Sequence, residues 1–298
     1  MSDELLASII NDNIKYLKSY IKDDEKDNLY KNLSTFQVFK DNNVNNYLKN
    51  SQNIENGNIL LGLYSMGNNS IVLFNENLNK IKLIYNDVNN KISSRLILHE
   101  LFHMASTNKD KYLGGINTYK NGDFDILIDN TGLNEGITEK LAYEAYPSLT
   151  FMHSAYIYEL LLTLQLSCII GSEVINKSYF NNYGTNLIEE ELSKYLGTKE
   201  ESKHFIYNFQ KFYKNKMNYN DLSLLGNLQI TLVKAFINKV KYLNEIEGNK
   251  IIDVYMKYII SPHLIKVRNN VNNEIPNLRE SINMINNFEF NDIIGKVK

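Results

Sequence analysis

Two histidines four residues apart, with a glutamate directly after the first, are the residues of this chain best suited to chemistry. They are His99, Glu100 and His103, within the apolar run Arg95–Ala105. On an α-helix, side chains at i and i+4 lie one turn apart on the same face, so both imidazoles can bind one metal ion. Glu100 then flanks that metal, where a carboxylate can take a proton from an activated water and pass it on. The spacing predicts the hydrolytic centre of a zinc enzyme.

A catalytic zinc needs a third protein ligand, with the fourth position left for water. Downstream, Glu135 and Glu139 lie one helical turn apart, beside a stripe of Leu133, Ile137 and Leu141 that predicts a second helix. Paired carboxylates of this kind more often mark a solvated helix face. After the first motif, however, one carboxylate can bind the metal while the other accepts the free N–H of a ligand histidine and fixes its tautomer.

The two motifs together resemble the gluzincin class of zinc metallopeptidases. The segments that carry the resemblance are His99–His103, HELFH, and Asn134–Glu139, NEGITE. The resemblance covers about residues 92 to 146. It implies a zincin-like core in which Glu135 is the third zinc ligand and Glu139 is the partner of His99. It also implies hydrolysis of peptide bonds by a zinc-activated water, with Glu100 as the general base.

The sequence departs from the gluzincin pattern in two respects. The interval between His103 and Glu135 is longer than in thermolysin-type members, which predicts an extra loop or hairpin between the two helices. Several gluzincins carry a tyrosine shortly before the ligand glutamate, whereas positions 126 to 128 here hold only aliphatic side chains. The sequence therefore does not identify the residue that stabilises the transition state. Four residues are candidates, and each of them is more often a packing residue: Tyr143, Tyr146, His153 and Tyr156.

The sequence patterns around these residues predict an α+β, mostly helical fold. We expect an N-terminal helical segment over residues 1–50, with amphipathic helices from residue 4. A zincin-like core over 51–147 is expected to hold a small N-terminal β-sheet and both metal-bearing helices. Residues 148–298 are expected to form a helical C-terminal lobe.

Within that framework, short β-rich runs at 59–64, 71–74 and 81–85 predict the strands, with a hairpin turn at 66–69. The first metal-bearing helix is predicted at 88–107, and glycines and asparagines after it predict a loop or hairpin. Pro147 is expected to end the second metal-bearing helix. The C-terminal half shows helical patterns through Tyr156–Gly171, 185–196, 202–217, 221–243, 249–260 and 277–287.

Other functions stay open beside a zinc metallopeptidase. One is a catalytically inactive metal-binding regulatory protein, although the intact Glu100 argues against it. Another is a toxin-like translocated protease in which the helical lobe serves targeting. A facial triad for Fe(II) uses the same ligand types as this zinc site. The placement of both histidines on one helix, with a glutamate between them, favours zinc.

Composition limits the classes of partner. The chain has 298 residues, 43% of them hydrophobic, which is enough to bury a sizeable core. Its net charge is −2, with acids and bases mixed along the chain, so we expect a peptide or protein substrate, no nucleic acid and no membrane. A single cysteine, Cys168, excludes an intramolecular disulfide. Abundant Asn, Lys and Ile without Trp suggest an AT-rich bacterial genome.

The expected location is cytoplasmic. Residues 1 to 6 include acids and no basic segment leading into an apolar run, so no secretory signal is predicted. A secreted location stays open, since a signal preceding this sequence would leave the same pattern. The longest apolar stretch, Tyr156–Gly171, is interrupted by Glu159 and Gln165, and no membrane-spanning helix is predicted from it.

Overall fold

Helices dominate the fold, and two small sheets accompany them. The structure is a computed structural model that describes residues 2–41, 62–74, 79, 87, 89–120, 123–150, 154–215, 222–269, 275 and 277–288. Over those residues it is mostly helical, so the α+β prediction is confirmed at that level.

The N-terminal segment contains two helices followed by a strand. Helix α1 covers Asp3–Tyr20 and α2 covers Asp27–Leu33, in line with the helical prediction. The side chain of Ser2 caps α1 by accepting a hydrogen bond from the Leu5 amide. Strand β1, Gln37–Asp41, contradicts the expectation of helix up to residue 50. The strand pairs only with β3 among the described strands, so it carries little of the apolar pattern that would predict it.

The first sheet has strand order β1-β3-β2. Strands β2, Gly62–Ser65, and β3, Ser70–Phe74, form the predicted antiparallel hairpin around the turn at 66–69. Strand β3 lies in the middle and is buried along its whole length, while β1 runs parallel to it. The strand expected at 81–85 lies outside the described residues.

Helix α3, Lys91–Ser106, carries the first motif and is buried on most sides. The carboxylate of Asp87 caps the N-terminal end of the helix. It accepts hydrogen bonds from the amides of Ile92, at 3.2 Å, and Ser93, at 3.0 Å. These contacts satisfy amides that have no partner within the helix and place a negative charge at its positive end. The fully buried Leu98 and Leu101 anchor the helix in the core.

A second sheet lies between α3 and the helix of the second motif in the sequence. Its strands are β4, Thr107–Asn108; β5, Leu113–Gly114; β6, Asn117–Lys120; and β7, Asp123–Asp129. They pair antiparallel in that order, which confirms the predicted hairpin in the long interval between the motifs. Helix α4, Thr131–Ala145, follows and ends before Pro147 as expected.

The described residues from 157 onward form a series of helices. The sequence pattern missed two short helices, Ser172–Phe180 and Pro262–Asn269, which follow directly on the ends of longer helical patterns. The helices are α5 Ile157–Ile170, α6 Ser172–Phe180, α7 Asn186–Leu196, α8 Lys199–Asn215, α9 Ser223–Val240, α10 Glu245–Met256, α11 Pro262–Asn269 and α12 Leu278–Asn286.

None of the helices in the described parts of the chain is by itself both long and apolar enough to cross a bilayer. Helices α5 and α6 reach the required length and hydropathy only when taken together, and a bend of 113° separates them.

Contacts divide the chain into two compact units, and both are discontinuous in sequence. The first contains Met1–Asp129, Ile137–Ile157 and Tyr179–Gly184, and α3 runs through its core. The second contains Asn130–Gly136, Tyr158–Ser178 and Thr185–Lys298, and its core includes fully buried phenylalanines on α8. The sequence-based division at residues 50 and 147 stays a prediction.

Candidate metal centre

Helix α3 brings His99 and His103 together on one face, as their spacing predicts. Their Nε2 atoms lie 3.2 Å apart, and the two ring planes stand at 73° to each other. His99 is buried, while His103 is partly exposed. Two nitrogens at this distance, each able to offer a lone pair, are suited to share one cation.

Glu135 supplies the third donor. In the part of the chain that the structure describes, His99, His103 and Glu135 form a group whose ligand atoms all lie within 4.8 Å of one another. Tetrahedral zinc with Zn–N bonds of about 2.05 Å separates two ligand nitrogens by about 3.3 Å. The observed 3.2 Å between the imidazoles matches that value. Two imidazoles and one carboxylate are also a donor set that catalytic zinc uses, so these residues fit the metal.

Glu139 lies one turn after Glu135 and contacts His99. The Nδ1 atom of His99 donates to Oε2 of Glu139 over 2.8 Å. An ionised carboxylate can only accept, so Nδ1 of His99 carries a proton, and its other nitrogen, Nε2, lies on the side of His103. Glu139 therefore contacts the imidazole that it was expected to partner, and its role in orienting a metal ligand stays a prediction.

The charge on Glu139 is maintained by its neighbours. Burial by itself would raise the pKa of this carboxyl, which is only 3% exposed. The hydrogen bond with His99, the positive charge of Arg95 and a hydrogen bond with Ser154 outweigh burial and lower the pKa to about 2. Arg95 forms an ion pair with Oε1 of Glu139. No sequence motif marked Arg95, although it lies one turn before His99 on the same helix face.

Glu100 follows His99 directly on α3 and contacts strand β2. Its Oε2 atom accepts a hydrogen bond of 2.8 Å from the backbone amide of Tyr64. Gly62, on the same strand, also passes close to Glu100, since a Cβ at that position would lie 3.5 Å from the Glu100 Cγ and 3.1 Å from Leu73 Cδ2. Glu100 is therefore fixed by backbone contacts and is free of the ligand group, as a general base requires.

The four candidate stabilisers differ in their surroundings. The ring of Tyr156 stacks on that of His99, with centroids 5.6 Å apart and planes within 12°. The ring of Tyr143 lies 5.5 Å from the guanidinium carbon of Arg95. The hydroxyl of Tyr146 donates to Asn13 Oδ1 over 2.7 Å and also bonds the hydroxyl of Ser94. His153 lies outside the described residues. Tyr156 therefore contacts a candidate metal ligand directly, whereas the contacts described for Tyr143 and Tyr146 are with other residues.

Gly136 allows a close approach of two helices next to the candidate ligand Glu135. A Cβ at position 136 would overlap the hydroxyl of Thr163 and lie 2.8 Å from the carbonyl oxygen of Glu159, both on α5. Helix α5 can therefore pack at this distance from α4 only because residue 136 has no side chain. Sequence patterns gave no sign of this contact, since Gly136 reads only as a variable position between the motif residues.

Comparisons of the chain with protein-family models, curated proteins and solved structures found no match. The chemistry of the centre is therefore judged from its residues and their geometry. The centre has a donor set that fits zinc, the Glu139 carboxylate in contact with one imidazole, and the Glu100 carboxylate bound to strand β2.

Proposed function

We propose that this chain is a zinc-dependent metallopeptidase with a zincin-like core of the gluzincin type. The observation that carries the proposal is the convergence of His99, His103 and Glu135, with Glu100 held alongside but outside the donor group. The first three residues would hold the ion. When bound there, zinc supplies a Lewis acid that activates water and polarises the scissile carbonyl.

Glu100 is the general base of the proposed reaction. One of its oxygens, Oε2, is occupied by the Tyr64 amide, which fixes the carboxylate plane and leaves Oε1 to take a proton. The same carboxyl then returns that proton to the leaving amine, so the residue acts first as base and then as acid. A fixed carboxylate needs little reorganisation during these transfers, which is how a preorganised base lowers a barrier.

A peptide substrate is supported by the position of strand β2. This strand lies at one end of the described three-stranded sheet, and its Tyr64 amide points to Glu100. An extended peptide that pairs alongside such a strand lays its backbone carbonyls beside that carboxylate. The ring of Tyr156 stacks on one face of His99, and this contact with a candidate ligand makes its hydroxyl our choice for the group that binds an oxyanion.

The substitution Glu100→Gln tests this proposal. It keeps the size of the side chain and the contact with Tyr64 but removes the base. We expect the zinc content of the wild type and a fall in kcat of about 10²- to 10⁴-fold. The assay is cleavage of a broad peptide library with one equivalent of zinc. Glu144→Gln is the control, because Glu144 pairs with Lys140 and Tyr20 instead of the donor group.

Two results would contradict the proposal. One is a Glu100→Gln variant that cleaves as fast as the wild type. The other is a zinc-loaded wild type that cleaves no peptide in the library, which would leave a metal-binding protein without this activity.

A further inference from the structure

Arg95 is a buried cation with a direct connection to the metal centre. Its side chain is 3% exposed, and its Nη2 atom pairs with Oε1 of Glu139. The other oxygen of the same carboxylate, Oε2, accepts from His99 Nδ1 at 2.8 Å. One carboxylate is thus shared by an arginine and a candidate ligand, both on α3 and four residues apart.

The guanidinium is held in place from several directions. Its Nη1 atom contacts the carbonyl oxygen of Thr150 at 3.5 Å, and the ring of Tyr143 packs 5.5 Å from its central carbon. The two terminal nitrogens of this planar, rigid group have separate partners, Nη2 the Glu139 carboxylate and Nη1 the Thr150 carbonyl, so the guanidinium holds one oxygen of Glu139 in place. Glu139 therefore has one anchored oxygen and one oxygen that orients His99.

We propose that Arg95 is a positioning residue that sets metal affinity by holding Glu139 against His99. The inference rests on the proposed metal centre and adds to it a residue that lies outside the candidate donor group. Without Arg95 the Glu139 carboxylate keeps its hydrogen bond with Ser154 but loses the ion pair at Oε1. Its contact with Nδ1 is then weaker, and the ring of His99 is held less firmly with Nε2 toward the centre. Partners of this kind change metal affinity by about 10- to 100-fold.

A merely structural role for Arg95 is the competing explanation, because removing any buried cation destabilises a fold. Lys140 offers a matched comparison within the same unit. Its side chain is fully buried on α4, and its Nζ atom lies 2.8 Å from Glu144 Oε1. Glu144 also accepts a hydrogen bond from Tyr20 and does not orient His99. Loss of stability is therefore expected in both Arg95→Met and Lys140→Met, whereas loss of metal affinity is expected in the first alone.

The experiment measures the zinc dissociation constant of the full chain by competition with a chromogenic chelator, and the unfolding midpoint of each metal-free variant in urea. Arg95→Met is expected to weaken zinc binding at least about tenfold, and Lys140→Met less than about threefold. Arg95→Lys, which keeps the charge but not the fork, should recover part of the affinity. If Arg95→Met does not fold, Arg95→Lys carries the same comparison against Lys140→Met.

A double-mutant cycle tests the route of the effect. If Arg95 acts through Glu139, adding Arg95→Met to Glu139→Gln should weaken zinc binding no further than about twofold. The absorption spectrum of the Co²⁺-substituted wild type should change in Arg95→Met and stay the same in Lys140→Met. Equal affinity losses in the two methionine variants, or a fully additive cycle, would overturn the inference.

These readouts separate the inference from the proposed function. A wild type that binds zinc and cleaves nothing refutes only the peptidase, since the affinity comparison is still measured. A wild type that cleaves peptides while Arg95→Met keeps full zinc affinity refutes only the role of Arg95. A wild type that binds no zinc at all refutes both.

Discussion

The substitution Gly136→Ala tests whether close packing of α4 on α5 holds the candidate ligand Glu135. Two effects of opposite sign compete. Alanine is a better helix former than glycine by about 1 kcal/mol, which favours the variant. Its Cβ, however, would lie 2.8 Å from the carbonyl oxygen and 3.2 Å from the carbonyl carbon of Glu159. Ordinary contacts of this kind are about 3.5 Å or longer, so the helices must separate by several tenths of an ångström.

The clash outweighs the gain in helix propensity. Overpacking of a close contact costs about 1 to 3 kcal/mol, and the upper half of that range applies here because the obstructing atoms of Glu159 belong to the backbone and cannot rotate away. The expected net result is a loss of about 1 to 2 kcal/mol in the free energy of unfolding. A shift of α4 also displaces Glu135, so we expect weaker zinc binding and a lower kcat.

The measurement is urea unfolding of the metal-free protein, followed by zinc titration. Gly67→Ala is the matched control, because a Cβ at that turn position would meet nothing within 4 Å. That variant should stay within about 0.5 kcal/mol of the wild type. A Gly136→Ala variant that is as stable as the wild type, with unchanged zinc affinity, would refute the packing argument.

Three further predictions follow from the surroundings of single side chains. Tyr156→Phe keeps the ring stacked on His99, so we expect unchanged zinc affinity and a kcat lowered about 10²-fold; an unchanged kcat would remove Tyr156 as the oxyanion donor. Tyr146→Phe removes hydroxyl contacts with Asn13, and urea unfolding should show a loss of about 1 to 2 kcal/mol with kcat unchanged. Asp87→Ala removes the acceptor at the start of α3 and should cost about 1 to 2 kcal/mol, measured by thermal unfolding; an unaltered melting temperature would contradict that role.

The parts of the centre that sequence could predict are those set by helical periodicity. The spacing of His99 and His103 puts both on one face of α3, and the spacing of Glu135 and Glu139 does the same on α4. Each relation is local and needs only that the segment be helical. That the two motifs meet was expected only from the gluzincin resemblance; in the structure the ligand atoms of His99, His103 and Glu135 lie within 4.8 Å of one another, and Glu139 contacts His99.

The parts that sequence could not predict depend on contacts between distant positions. The ion pair of Arg95 with Glu139 joins residues 44 positions apart, and the Tyr64 amide meets Glu100 across 36 positions. Hydrophobic periodicity does not predict contacts between such distant residues. A hydrogen bond from a backbone amide also cannot be predicted from residue type, because almost every residue has that amide. Strand β1 was missed for a related reason, because its two apolar residues, Val38 and Phe39, are adjacent and do not show the alternation of a half-buried strand.

Metal analysis of the purified chain, with and without Glu135→Ala, tests the central claim most directly. Both proteins are stripped with a chelator, reloaded with zinc and dialysed, and their zinc content is measured by mass spectrometry. The wild type should retain about one zinc ion per chain, and Glu135→Ala should lose most of it, since only two ligands remain. Glu144→Gln should behave as the wild type. A wild type that retains no zinc, or a Glu135→Ala variant that retains as much as the wild type, would contradict the metal centre described for His99, His103 and Glu135.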